Sequence, residues 1–144
     1  MAVDPKRIVE VERTYIGTPW HHAARLKGVG IDCAGLLVCV SHELGIPVED
    51  FVNYDREDEF ESLVGEIEKY CNQIPISELA KTGDILVFRS RQMYNHCGFF
   101  SEERRTFIHA YNTPGCAKVV ETPFDTPWVI RLARIYRYKD LEQV

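Results

Sequence analysis

The sequence has no apolar run that approaches the roughly 20 residues of a membrane-spanning helix. It also lacks an excess of positive charge, since 17 Lys and Arg stand against 22 Asp and Glu, for a formal net charge of −5. A protein that binds nucleic acid by neutralising phosphates carries the opposite balance. We therefore expect no membrane span and no nucleic-acid partner.

Signals of secretion and of several domains are absent as well. The first residues, MAVDPKRIVEVERTY, are charged and mixed, unlike a secretory signal peptide. We find no internal repeat, low-complexity tract or linker, and 144 residues suffice for one hydrophobic core. These features predict that residues 1–144 form a single domain and that the protein is synthesised in the cytoplasm.

Paired cysteine spacings are missing too. The five cysteines form an odd set without a CxxC pair or a zinc-ribbon spacing; they are Cys33, Cys39, Cys71, Cys97 and Cys116. Without a secretion signal the default state is a reduced thiol. The sequence predicts no metal site and no cofactor, and it leaves open which cysteine, if any, is reactive.

The two halves of the chain have different patterns. Capping residues and helical periodicity predict three helices, at about 5–15, 33–44 and 58–73. Short apolar or alternating runs predict strands at 85–88, 95–101, 106–112, 117–121 and 133–138, with a short helix near 125–132. Helices first and strands second predict an α+β fold, with the helices packed on a mainly antiparallel sheet.

Cys33 directly follows Asp32, a good N-cap residue, and so falls in the first turn of the second helix. Unpaired N–H groups and the helix dipole stabilise a thiolate there, and the same N–H groups suit a tetrahedral oxyanion. The other interpretation is a small buried apolar side chain, which is the role of most free cysteines.

His96 and His109 lie on two predicted strands on either side of a polar turn. Alternate side chains of a strand share a face, and a hairpin centred between Glu102 and Glu103 would place the two histidines directly opposite each other. Two unrelated strand histidines are the alternative. If the hairpin forms as predicted, Cys33, His96 and His109 supply the nucleophile, the base and the orienting group that a cysteine hydrolase needs.

Four segments carry a resemblance to a known family. They are DCAGL at 32–36, GDILVF at 83–88, HCGFF at 96–100 and FIHA at 107–110. In order and spacing, over roughly Gly17 to Tyr138, they resemble the NlpC-type cysteine peptidases, which are papain-like hydrolases of bacterial cell-wall peptides. The nearest likeness is to the phage and gene-transfer-agent branch, whose members often carry DCAG before an apolar helix.

The resemblance implies a role for each matching residue. Cys33 matches the nucleophile, His96 the base and His109 the third polar residue, while Asp32 matches an acidic residue that binds the free amine of the stem peptide. A plain N-cap is an equal alternative for Asp32. Trp20 stands where the family usually has a tyrosine near the oxyanion site, and His21 is expected at the rim of the substrate pocket.

The implied activity is hydrolysis of peptide bonds in peptidoglycan stem peptides, near the D-glutamate–diaminopimelate link. The implied location is a phage or phage-like tail tip, with tail-tip or hub proteins as partners. Two alternatives stay open: an inactive structural tail-tip protein of the same fold, and an amidase or acyltransferase on the same scaffold.

Overall fold

Four helices and eight strands follow one another in the computed structural model, which describes residues 3–50, 59–90 and 93–139. The elements of the described ranges are α1 Pro5–Arg13, β1 Arg25–Leu26, β2 Gly30–Ile31, α2 Cys33–Glu43, α3 Glu59–Tyr70, β3 Cys71–Ile74, β4 Ile85–Ser90, β5 Met93–Ser101, β6 Thr106–Thr113, β7 Cys116–Pro123, α4 Thr126–Arg131 and β8 Leu132–Tyr138. None of these helices is both long and apolar enough to cross a membrane.

Local capping chemistry sets the ends of the first two helices, as predicted. Asp4 caps α1 by accepting a hydrogen bond from the Lys6 backbone N–H (3.0 Å). Asp32 caps α2 by accepting one from Gly35 (2.7 Å). Gly45 follows α2 with a φ of 82°, a left-handed conformation that glycine adopts without steric cost.

The main sheet has six strands in the order β3-β8-β4-β5-β6-β7, and every neighbouring pair is antiparallel. A second, two-stranded sheet pairs β1 with β2. The predicted α+β architecture, helices before a mainly antiparallel sheet, is therefore confirmed.

Each face of the main sheet covers its own apolar cluster. The larger cluster joins α1, α2 and α3 to one face, where Cys97 and Phe99 of β5 are buried. The smaller cluster lies on the other face and includes Phe107 of β6 and Trp128 of α4. Because side chains alternate along a strand, His96 and His109 share the face of this smaller cluster.

Two sequence predictions need correction. The third helix ends at Tyr70 rather than near Gln73, because Cys71–Ile74 pairs with β8 as an edge strand; its predicted start at Asp58 lies outside the described residues. The β5–β6 hairpin is centred between Glu103 and Arg104, since Ser101 pairs with Thr106. Residues 25–31, for which the sequence predicts no strand, contain the β1–β2 pair.

Candidate active site

Asp32 holds Cys33 at the first turn of α2 by a set of hydrogen bonds. The Asp32 side chain is buried and accepts from the backbone N–H groups of Gly35 (2.7 Å) and Ala23 (2.7 Å) and from the Arg25 guanidinium (2.9 Å). These bonds fix both the helix start and the preceding loop. They support the N-cap interpretation of Asp32, whereas its binding of a substrate amine stays a prediction.

Cys33 is buried, with 7 % of its surface exposed, in the cluster between the helices and the sheet. Its backbone carbonyl accepts a hydrogen bond from the Cys97 thiol, with 3.6 Å between Sγ and O. Cys97 follows His96 directly on β5. The start of α2 therefore contacts the strand residue next to the predicted base.

The predicted contact between His96 and His109 is present: His96 Nε2 lies 2.6 Å from His109 Nδ1. Their relative position differs from the prediction, because the hairpin register places Gly98 rather than His96 opposite His109. His96 is a diagonal neighbour on the same face. A register shift of two residues keeps the face of every side chain, so the contact survives the error in the hairpin centre.

Thr122 of β7 extends this pair, and the sequence reasoning missed it. His109 Nε2 lies 2.8 Å from Thr122 Oγ1. In the register, Phe107 pairs with Thr122, so Thr122 is again a diagonal neighbour of His109. No local signal in the sequence points to Thr122, because its approach to His109 depends on the β6–β7 register.

One arrangement of protons suits this chain to base catalysis. Thr122 Oγ1 accepts from His109 Nε2–H, and His109 Nδ1 accepts from His96 Nε2–H. His96 Nδ1 then carries a lone pair that can take a proton from a thiol. The reverse arrangement would place a proton on His96 Nδ1 and would block that role.

Both histidines are held neutral. Burial lowers the pKa of His96 to about 3, with a second contribution from the positive charge of Arg131. Burial also lowers the pKa of His109 well below its ordinary value, followed by the effects of His96 and Arg131. A neutral imidazole is the form that acts as a general base.

Aromatic rings enclose the histidine pair on this face. The Trp128 ring centroid lies 5.8 Å from that of His96 and 5.2 Å from that of His109. The ring centroid of His109 also lies 5.0 Å from that of Tyr111 and 4.2 Å from that of Phe107. These contacts restrict the orientation of the two imidazoles, of which His109 is fully buried and His96 half-buried.

Trp20 and His21 lie in the loop before β1. The Trp20 backbone N–H donates to Ala117 (2.9 Å), and its half-buried side chain packs against the larger cluster. His21 is exposed, its backbone N–H donates to Ile31 (3.1 Å), and the loop is thereby tied to the strand that precedes Cys33. Their roles in binding substrate stay predictions.

The remaining cysteines do not form a site. None of the five cysteines forms a disulfide. Burial raises the pKa of Cys39 and raises that of Cys71 to about 12. Within the described ranges, no group of three or more His, Cys, Asp or Glu side chains is arranged to hold a metal ion.

A helix that starts at a cysteine and packs on an antiparallel sheet bearing a histidine pair defines a papain-like α+β architecture. The profile of the NlpC/P60 family matches residues 17–133, which is most of the chain. The protein belongs to the NlpC/P60 family. No protein of curated function matches the sequence significantly.

Solved structures show the same fold. The NlpC/p60 domain of the peptidoglycan hydrolase SagA has a TM-score of 0.64 and 24 % identity, over 94 % of this chain and 99 % of that one. An NlpC/P60 family protein from Bacillus cereus gives 0.71 and 18 %, over 96 % of this chain and 41 % of that one. NlpC1 from Trichomonas vaginalis gives 0.68 and 21 %, over 93 % and 44 %. The chain thus spans nearly all of the SagA domain and less than half of the other two.

Proposed function

We propose that this protein is a cysteine peptidase that hydrolyses peptide bonds in peptidoglycan stem peptides. The observation that carries the proposal is the hydrogen-bonded chain from His96 through His109 to Thr122, next to a helix that begins at Cys33. Membership of the NlpC/P60 family and the likeness to the SagA hydrolase domain support the substrate class.

In the proposed first step, His96 Nδ1 takes the Cys33 thiol proton and Sγ attacks the carbonyl carbon of the scissile bond. The N–H groups at the start of α2 stabilise the oxyanion. The C–N bond then breaks, and the leaving amine takes the proton from His96. Water next attacks the thioester with His96 as base, the C–S bond breaks, and the thiol regains its proton.

The test compares the wild type with Cys33→Ala and His96→Ala on stem-peptide fragments, with products identified by mass spectrometry. Cys116→Ala is the matched control, because Cys116 is half-buried and lies outside the histidine cluster. We expect turnover by the wild type and by the control only. Equal turnover by Cys33→Ala would refute the mechanism, and no turnover by the wild type would favour a structural protein of the same fold.

The proposal has two finer parts. The cleaved bond lies next to the D-glutamate–diaminopimelate link, and the protein has a place in a phage or phage-like tail. The choice of bond rests on the family resemblance as a whole, and the phage-like location rests on the likeness of DCAG before an apolar helix to one branch of the family. The mass of the cleavage products identifies the bond. Detection of the chain in purified particles tests the location, and its absence from them would contradict a tail-tip role.

A further inference from the structure

Arg131 is a cation beside the histidine pair that the proposed mechanism does not use. It ends α4, and its guanidinium carbon lies 4.7 Å from the Trp128 ring centroid. Its Nε–H donates to the backbone carbonyl of Arg89 (3.3 Å). The stacking and this hydrogen bond hold the guanidinium plane, so little side-chain entropy remains to be lost on binding.

The charge of Arg131 has no counter-ion in the described part of the chain. The ion pairs there involve other cations, namely Arg13, Arg25, Lys27, Lys69, Arg104 and Arg137. The two terminal nitrogens of Arg131 therefore keep donors that suit a carboxylate, which an arginine binds in a bidentate manner.

We propose that Arg131, on its Trp128 support, binds a carboxylate of the peptide substrate and so selects acidic peptides over amidated ones. This inference rests on the proposed function, because it names the substrate chemistry of the same site. A peptide with free carboxylates fits this site, whereas its carboxamide counterpart lacks the charge that pairs with Arg131. Val129 and Ile130, both exposed on α4, offer apolar contact beside the carboxylate.

The first test uses two matched stem-peptide fragments, one with free carboxylates and one with carboxamides in their place. We expect the wild type to prefer the free acid, and Arg131→Gln to raise KM about tenfold for the acid while leaving KM for the amide unchanged. Arg131→Lys should retain part of the preference. A role limited to holding α4 would change both substrates equally, and an unchanged preference in Arg131→Gln would overturn the inference.

The second test does not require peptidase activity. It measures the alkylation rates of Cys33 by iodoacetate and by iodoacetamide, two reagents that differ in charge. Arg131→Gln should lower the iodoacetate-to-iodoacetamide ratio about fivefold. The matched control is Arg104→Gln, which removes the same charge from the β5–β6 turn, where Arg104 pairs with Glu121; its ratio should equal that of the wild type.

The two tests separate the two hypotheses. If the wild type cleaves neither fragment but the alkylation ratio falls in Arg131→Gln alone, the proposed function fails and the anion site stands. If the fragments are cleaved and the ratio and the preference stay unchanged, the proposed function stands and the carboxylate site is refuted.

Discussion

Replacement of Thr122 by valine isolates the outermost hydrogen bond of the histidine chain. Valine has nearly the shape of threonine but no hydroxyl, so His109 Nε2–H, 2.8 Å from Thr122 Oγ1, loses its acceptor. His109 is fully buried, and a buried unsatisfied donor costs about 1–3 kcal/mol. The imidazole avoids this cost by moving its proton to Nδ1, which faces His96.

That move has a direct catalytic consequence. With a proton on His109 Nδ1, His96 Nε2 must accept the 2.6 Å hydrogen bond, and the proton of His96 shifts to Nδ1. His96 then has no lone pair for the Cys33 thiol. A penalty of about 1.4 kcal/mol on the active tautomer lowers its population about tenfold, so we expect kcat to fall about tenfold in Thr122→Val, with KM unchanged.

The assay is turnover of a stem-peptide fragment, together with the 15N chemical shifts of the imidazoles, which report the tautomer of each histidine. Thr122→Ser is the matched control, because serine keeps the hydroxyl, and it should stay within about threefold of the wild type. Full activity in Thr122→Val would refute the tautomer reasoning. Equal losses in both variants would show that packing, rather than the hydroxyl, is what matters.

Three further predictions concern other parts of the molecule. In Gly98→Ala, the new Cβ would lie 2.7 Å from the Ile108 carbonyl and 2.9 Å from His109 Cβ, so we expect about 1–3 kcal/mol of lost stability by urea unfolding and loss of activity; a normal variant would contradict the described register. Glu12 is fully buried, and it forms no ion pair within the described ranges. Burial, followed by the effect of Cys97, raises the pKa of Glu12 well above 4.5, so folding takes up a proton and the wild type should lose stability relative to Glu12→Gln as pH rises above 4.5; parallel pH curves would exclude this. Cys33 should react with iodoacetamide faster than the other four cysteines near neutral pH, as peptide mapping would show, and uniform slow labelling would argue against an activated thiol.

The features predicted correctly from the sequence are those that neighbouring residues determine. Asp4 and Asp32 cap their helices through hydrogen bonds to residues two and three positions away, which a local pattern encodes. The common face of His96 and His109 follows from the alternation of side chains along each strand. A register error of an even number of residues leaves that face unchanged. These local rules placed Cys33 at a helix start and the two imidazoles on one face.

The errors lie where an unusual turn conformation or a partner distant in the chain decides the structure. The hairpin centre was displaced because its turn includes Arg105 in a left-handed conformation (φ 51°), which the residue type did not predict. Cys71–Ile74 continues a helical pattern in sequence but becomes a strand by pairing with β8, more than 60 residues away. Thr122 and Trp128 join the site only through the β6–β7 register and the docking of α4, neither of which has a local signal.

If Arg131 binds a substrate carboxylate, as proposed, its positive charge also links substrate binding to the basicity of His96. In the free protein burial, followed by this charge, lowers the pKa of His96 to about 3, so His96 is a weak proton acceptor. A substrate carboxylate paired with Arg131 would cancel the charge, and the pKa of His96 would rise.

The base is needed in its neutral form, which is lost as pH falls through its pKa. We therefore expect the acid limb of kcat, which reports the complex, to lie at higher pH than that of kcat/KM, which reports the free enzyme. This difference in pH between the two acid limbs should vanish for the wild type with an amidated substrate, and also for Arg131→Gln with the acidic substrate. The same difference for these two cases and for the wild type with the acidic substrate would show that Arg131 does not couple substrate charge to His96.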